Sequence, residues 1–293
     1  MNSAIPESQL ILNSEGAIYH LNLRPDDIAD DIILVGDPGR VGTVAEFFDE
    51  IEIQRQNREL ITITGQYKGK RITVLSTGMG TDNLDIVINE LDALANIDFT
   101  TRKPKEAHRS LNLIRIGTSG ALQADIPVEY SYVATRYALG FDGLLYFYGQ
   151  NLEVNEIAIR DAFIKYMDYP TDLPKPYVVE GSKELLERVG QGYLQGITAT
   201  ASGFYGPQGR TLRLPLAYPE NNKKIEGFRY GDWRICNFEM ESSALYGLGK
   251  MMGHNCATVC AIIANRVSEK FANDYHPYVK KLVLNTLERL AEK

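Results

Sequence analysis

The sequence is short of positive charge. Its 293 residues carry 31 lysines and arginines against 38 aspartates and glutamates, a net charge of −7. A nucleic-acid binder normally shows a basic face, so that class of partner is set aside, although a small basic pocket is still allowed. Cysteine is also scarce. Cys236, Cys256 and Cys260 are too few and too closely placed to frame a disulfide-stapled fold, which points to a reducing, cytoplasmic setting. No apolar run reaches the length of a membrane span, residues 1–9 are too polar for a signal peptide, and no membrane partner is expected. Low-complexity tracts and repeats of solenoid length are missing as well. The four histidines, His20, His108, His254 and His276, form neither H-x-x-x-H nor H-E-x-x-H, and no metal is expected. A G-x-x-x-x-G-K-[ST] loop and a G-x-S-x-G elbow are absent, and Gly78-Met79-Gly80 begins a G-x-G-x-x-G that fails at Asn83. The P-loop, dinucleotide and serine-hydrolase readings therefore have little to stand on.

What is present is a regular alternation. Apolar runs of strand length at 32–35, 61–64, 71–75, 113–116, 132–135, 177–179, 197–199, 235–238 and 257–264 alternate with helical patterns at 41–48, 82–96, 155–167, 182–192, 242–252 and 276–291. Gly253 reads as the cap that ends 242–252. Tyr67-Lys68-Gly69-Lys70 joins two strands as a hairpin, which makes the sheet mixed. The pattern predicts an α/β protein with one central mixed β-sheet flanked by helices, built as one domain over 1–293. The polar stretch 98–110 reads as an exposed insertion.

Ligands of open α/β sheets bind beyond the carboxyl ends of strands. Three glycine-rich segments read as turns there: Gly36-Asp37-Pro38-Gly39-Arg40, Gly78-Met79-Gly80-Thr81 and Gly117-Thr118-Ser119-Gly120. Glycine lets backbone N–H groups approach an anion, and a helix N-terminus adds favourable partial charge. Each alone is as readily an ordinary turn, but three together, with Arg40 and Arg115 close by, favour an anion site. Asn237-Phe238-Glu239-Met240-Glu241-Ser242 opens a helix after a strand. Glu241 and Ser242 suit simple capping there. Alternatively, Glu241 takes the vicinal hydroxyls of a sugar while Met240 packs on its apolar face. In Phe204-Tyr205-Gly206-Pro207-Gln208-Gly209-Arg210, an amide and a guanidinium two residues apart on an extended chain point to one side. Together they suit the edge of a planar heterocycle with adjacent carbonyl and N–H groups. In isolation the segment reads as a solvated loop. Cys256 and Cys260 read as small core residues, and Trp233 as packing.

Taken in order, these motifs resemble the nucleoside phosphorylase superfamily of the uridine phosphorylase type. The resemblance runs from about Ile18 to Arg266 and includes Tyr19-His20-Leu21, Arg58-Glu59 and Ser76-Thr77-Gly78 beside the segments above. It implies a phosphate site at Gly36, Arg40, Arg115 and Thr118, with Arg58 reaching the phosphate of a neighbouring subunit. It implies a ribose site at Glu239, Met240 and Glu241, with His20 crossing an interface to the 5′-hydroxyl. Gln208 and Arg210 would read uracil, Phe204 would stack near it, and Ile263 with Ala264 would line the pocket. Arg115 and Arg210 would be catalytic. The expected reaction is phosphorolysis of uridine, with deoxyuridine not distinguished from it, to uracil and ribose 1-phosphate. Phosphate is then a co-substrate and no cofactor is needed. A homo-oligomer, dimer or hexamer, is expected because sites would be shared. Purine phosphorylases of this superfamily place an aspartate where Asn265 stands, which favours a pyrimidine. The alternatives are a purine phosphorylase or nucleosidase of the same superfamily, or a non-catalytic nucleoside-binding protein. Thr81-Asp82-Asn83 and Val128-Glu129-Tyr130 depart from the usual pattern, and those changes bear on subunit packing more than on chemistry.

Overall fold

A computed structural model describes residues 3–149 and 152–292; the other positions of the expected 1–293 domain lie outside the described residues. The first strand, β1 (Asp31–Val35), is apolar from Ile32 onward and buried on both faces, as a central parallel strand should be. Helix α1 (Pro38–Ala45) follows directly. It starts three residues before the expected 41, because Asp37 accepts the Gly39 N–H and Pro38 suits the first helical position. Strand β2 (Glu50–Asn57) escaped the sequence reading. It is a mostly exposed strand at one end of the sheet, with alternation too polar to signal burial. It forms a hairpin with β3 (Leu60–Tyr67), which turns through Lys68-Gly69, both at positive φ, into β4 (Lys70–Ser76). Helix α2 (Thr81–Asn96) lies within one residue of expectation, with Leu84, Val87, Ile88, Leu91 and Leu94 fully buried along one face.

The 98–110 stretch is largely exposed, as expected, but it is ordered. Strands β5 (Ile97–Asp98) and β6 (Lys103–Pro104) form a short hairpin, and Arg102 donates to the carbonyls of Ile5, Pro6 and Leu10. Strand β7 (Asn112–Ala121) is longer than expected and corrects one reading. Gly117-Thr118-Ser119-Gly120 is strand, not turn, because β7 is paired through this stretch by β13 and then, at Gly120, by β12. The remainder comprises β8 (Tyr132–Gly140), α3 (Val154–Met167), β9 (Tyr177–Glu180), α4 (Lys183–Val189), β10 (Leu194–Thr200), α5 (Asn221–Gly227), β11 (Arg229–Tyr230), β12 (Trp233–Glu239), α6 (Ser242–Met251), β13 (Asn255–Asn265), β14 (Lys270–Phe271) and α7 (His276–Ala291). Helix α5 was not read from the sequence, since Ile225 is its one buried apolar residue.

The twelve-stranded mixed sheet runs β11-β12-β10-β8-β13-β7-β1-β4-β3-β2, with β9 paired to β8 and β14 to β13 off this path, and β12 also meets β7 through Phe238 opposite Gly120. Strands β7, β13, β8, β10 and β12 therefore close into a ring. One apolar cluster joins α2 and α6, and another joins α1, α4 and α7. Among the described residues no helix is long and apolar enough to cross a membrane. The parallel strands β1, β4, β10 and β12 end at Val35, Ser76, Thr200 and Glu239, and the segments that follow them carry the candidate chemistry.

Candidate active site

Two arginines occupy the candidate anion site. Arg40 stands in the first turn of α1, half-buried, with Nη1 donating to the Ile116 carbonyl of β7 at 3.2 Å. It forms no ion pair among the described residues. Burial and the neighbouring Arg115 charge hold its pKa below the ordinary arginine value. A cation so placed gains from an incoming anion. Gly36 lies against the second glycine turn: a Cβ there would sit 3.3 Å from the Gly78 carbonyl oxygen. Thr118 follows Ile116 by two residues, on the β7 face toward α1. No hydrogen bond among the described residues joins the Thr118 side chain to either arginine.

Arg115 is buried and already engaged. Its Nη2 pairs with Glu241 Oε2, its Nη1 lies 3.4 Å from Glu239 Oε2, and Nη1 also donates to Cys260 Sγ at 3.4 Å. Burial alone would lower its pKa, but the Glu241 and Glu239 charges outweigh it and hold the guanidinium charged. Its Nε–H is buried with no hydrogen-bond partner among the described residues. Gly117 makes room for this arrangement, since a Cβ there would meet Arg115 Nη1 at 2.0 Å and Cys260 Sγ at 2.8 Å. Cys260 is thus more than the core filler expected from sequence. Burial pushes its thiol up to about 11, so it accepts the arginine proton as a neutral sulfur.

The acidic pair divides its work. Glu239, at the end of β12, accepts the backbone N–H groups of Glu241 and Ser242 and the Thr200 hydroxyl at 2.6 Å. It caps α6, the role expected of Glu241 and Ser242. Burial raises its pKa above the ordinary range, Arg115 opposes that rise and Glu241 adds to it. Glu241 instead reaches back and accepts the Gly80 N–H at 2.8 Å, tying the second glycine turn to the start of α6. Met240 lies half-buried between the two acids in sequence.

The Phe204–Arg210 segment is not extended, which corrects the sequence argument. Gly206–Gln208 forms a 3-10 turn and Gly209 sits at positive φ. The turn still brings the two side chains together: Arg210 Nη1 donates to Gln208 Oε1 at 2.5 Å and to the Phe204 carbonyl at 2.6 Å. The same guanidinium stacks 3.7 Å from the Phe204 ring centre, and Phe204 itself is half-exposed. Burial and the Arg266 charge lower the Arg210 pKa to about 10. Arg266, which the sequence reading passed over, donates to the Gln208 carbonyl at 3.1 Å, as does Asn222 at 2.9 Å. Ile263, half-buried, sits where the register of β13 against β7 shifts, a bulge of the kind that re-aims side chains.

Asn265 is fully occupied. Its Nδ2 donates to the carbonyls of Gln123 and Ile126 at 2.9 and 2.7 Å, and its Oδ1 accepts the N–H groups of Val267 and Ser268. An aspartate here would turn a carboxylate toward two carbonyl oxygens. We expect Asn265→Asp to lower unfolding stability by about 1–3 kcal/mol, the cost of buried polar groups left unmatched, without raising inosine cleavage. Urea unfolding and an inosine assay check both parts.

His20 and Arg58 share an exposed ridge. Asn57 Nδ2 donates to the carbonyls of Tyr19 and His20, and the Arg58 guanidinium lies 6.0 Å from the Tyr19 ring centre. Arg58 caps the β2–β3 hairpin at φ 54°. No hydrogen bond or ion pair among the described residues joins this ridge to Arg115, Glu239 or Glu241.

The sequence also hid a histidine cluster. Asp92, His108 and His254 bring possible ligand atoms within 4.8 Å of one another. His254 Nδ1 accepts the Leu111 N–H, which leaves its proton on Nε2, facing Asp92 Oδ1 at 3.2 Å. The ring has no lone pair to spare for a cation; His108 stacks on it with ring centres 5.7 Å apart and bonds the Met252 carbonyl at 2.8 Å.

The ring of strands thus carries Arg115, Glu239 and the Phe204–Arg210 loop that follows β10, in an α/β protein with a mixed sheet. The family model described as the phosphorylase superfamily matches residues 30–292, and the chain belongs to that superfamily. It is 33% identical over 258 residues to a protein named uridine phosphorylase from Thermococcus kodakarensis, covering 88% of this chain and 80% of that one. A DeoD-type purine nucleoside phosphorylase from Bacillus cytotoxicus is 28% identical, over 83% of this chain and 85% of that one. Among solved structures, a Trypanosoma brucei nucleoside phosphorylase described as showing uridine phosphorylase activity superposes with a TM-score of 0.85 at 28% identity. That match covers 95% of this chain and 99% of the other.

Proposed function

We propose that the protein is a uridine phosphorylase, converting uridine and phosphate to uracil and ribose 1-phosphate. The observation that carries this reading is the base loop. Arg210 and Arg266 converge there with no carboxylate paired to either among the described residues. Such a loop favours a base that leaves as an anion, and it offers no acid to protonate a purine. The name and described activity of the two relatives above that act on uridine agree with it.

In this reading a phosphate oxygen forms a bond to C1′ as the C1′–N1 bond breaks, and the electron pair of that bond leaves with uracil. Arg40 and Arg115 hold the phosphate, with Gly36 and Thr118 beside it. Positioning makes the attack effectively intramolecular. Glu239, Met240 and Glu241 hold the ribose, whose C1′ gains oxocarbenium character as in other glycosyl transfers. Gln208 and Arg210 stabilise charge that develops on the base, Phe204 covers it, and Ile263 lines the pocket. A charge that appears only in the transition state is where such donors accelerate the reaction. The protein needs phosphate as co-substrate and no cofactor.

Sites are shared between copies. The Gly80 N–H holds Glu241, whereas His20 is held by Glu90, ten residues further along α2. At the helical rise these two anchor points lie about 15 Å apart along α2, which favours His20 serving a neighbouring copy. His20 and Arg58 of the partner subunit would complete each site at the 5′-hydroxyl and the phosphate. The deciding assay is uracil release from uridine with and without phosphate, alongside inosine. Phosphate-dependent uridine loss with inosine spared is the expected result. Release without phosphate, or faster inosine cleavage, would overturn the assignment.

A further inference from the structure

Glu90 makes more contacts to the His20 segment than any sequence motif suggested. It lies on α2 with a side chain only 13% exposed. Its Oε2 accepts the backbone N–H groups of His20 at 3.1 Å and Leu21 at 2.8 Å. Its Oε1 accepts the His20 N–H at 3.1 Å and lies 2.6 Å from His20 Nδ1. An ionised carboxylate is acceptor-only, so the neutral imidazole must carry its proton on Nδ1. The bond on one ring nitrogen fixes what the other can do. His20 Nε2 is then a lone pair, on a ring that Glu90 holds through Nδ1 while Asn57 holds the His20 backbone carbonyl.

We propose that Glu90 is a positioning residue that sets the His20 tautomer, so that Nε2 accepts the 5′-hydroxyl proton of a nucleoside bound in a neighbouring copy. The proposal rests on the reading of His20 given above.

Glu90→Gln is the informative variant. Its amide oxygen, placed where Oε2 stands, keeps both backbone N–H bonds and therefore the ridge. Its amide nitrogen, placed where Oε1 stands, donates to Nδ1 and forces the ring proton to Nε2. Nitrogen NMR of the labelled full-length protein should find the neutral His20 proton on Nδ1 in the parent and on Nε2 in Glu90→Gln. With uridine, kcat/KM should fall by up to about tenfold, the value of one hydrogen bond, because a 5′-hydroxyl turned to accept from Nε2–H gives up the donor role that Nε2 served. With 5′-deoxyuridine, which has no 5′-hydroxyl, the fall should be less than about twofold on the same accounting. His20→Ala should show the same split, and the double variant should be no worse than His20→Ala. Equal losses on both substrates in Glu90→Gln, with His20→Ala still discriminating, overturn the role of Glu90 alone. A His20→Ala protein that treats the substrates alike overturns the 5′-hydroxyl contact and the proposal with it. Failure of the uridine phosphorylase reading shows earlier, as lack of phosphate-dependent cleavage in the unmutated protein.

Discussion

Replacing Arg210 with alanine is expected to lower kcat/KM for uridine by about 10²–10³-fold, the cost of about 2.7–4 kcal/mol seen when one donor is removed from a site of developing negative charge. The loss should fall mainly on kcat, because the base gains charge only as the C1′–N1 bond stretches. Lysine should restore little. Arg210 reaches the Phe204 carbonyl and Gln208 Oε1 with one nitrogen while its guanidinium lies 3.7 Å from the Phe204 ring centre, and a compact ammonium does not reproduce that contact together with both bonds. A second substrate separates electrostatic help from simple packing. The 5-fluorouracil anion is the better leaving group, so 5-fluorouridine should lose less than uridine on the same substitution. Equal losses on both substrates would reduce Arg210 to a residue that merely shapes the loop.

The strands and helices were legible wherever burial left a period in the sequence. The 82–96 pattern became α2 because its apolar residues face one cluster, and 257–264 lies inside β13 because that strand is buried. Strand β2 and helix α5 were missed because each exposes most of its length. Gly117–Gly120 was misread for a different reason. Glycine usually marks a turn, but here its missing Cβ lets the Arg115 guanidinium lie over β7. Local sequence cannot distinguish these uses. The site residues were nameable from motif order, yet their partners were not: Glu90 and His20 are seventy positions apart, and Arg115 and Cys260 one hundred and forty-five. The Arg115–Cys260 pair forms when β7 meets β13 in the closed ring, and the Glu90–His20 pair when the segment before β1 packs on α2.

The same closure makes Arg115 the residue whose loss should be felt most in stability. Substituting methionine would leave Glu239 and Glu241 buried together without a cation. Breaking a buried ion pair by removing one partner costs about 3–5 kcal/mol, and phosphate-dependent turnover should be lost as well. The pH dependence has a definite sign. Burial and Glu241 already hold the Glu239 pKa above the ordinary glutamate value even with Arg115 opposing; without Arg115 the displacement grows. A carboxyl whose folded pKa is raised binds more protons in the folded than in the unfolded state. Its stabilising contribution is complete below the unfolded pKa of about 4.3 and is lost as pH rises through the folded value. The stability gap between parent and Arg115→Met should therefore widen from acid toward neutral pH and narrow again on acidification. Subtracting the parent curve removes the exposed carboxylates that both proteins share. Urea unfolding of the two proteins across that range reads the gap directly. A gap independent of pH would mean that the acids find another cation, and Arg115 would then be needed for phosphate alone.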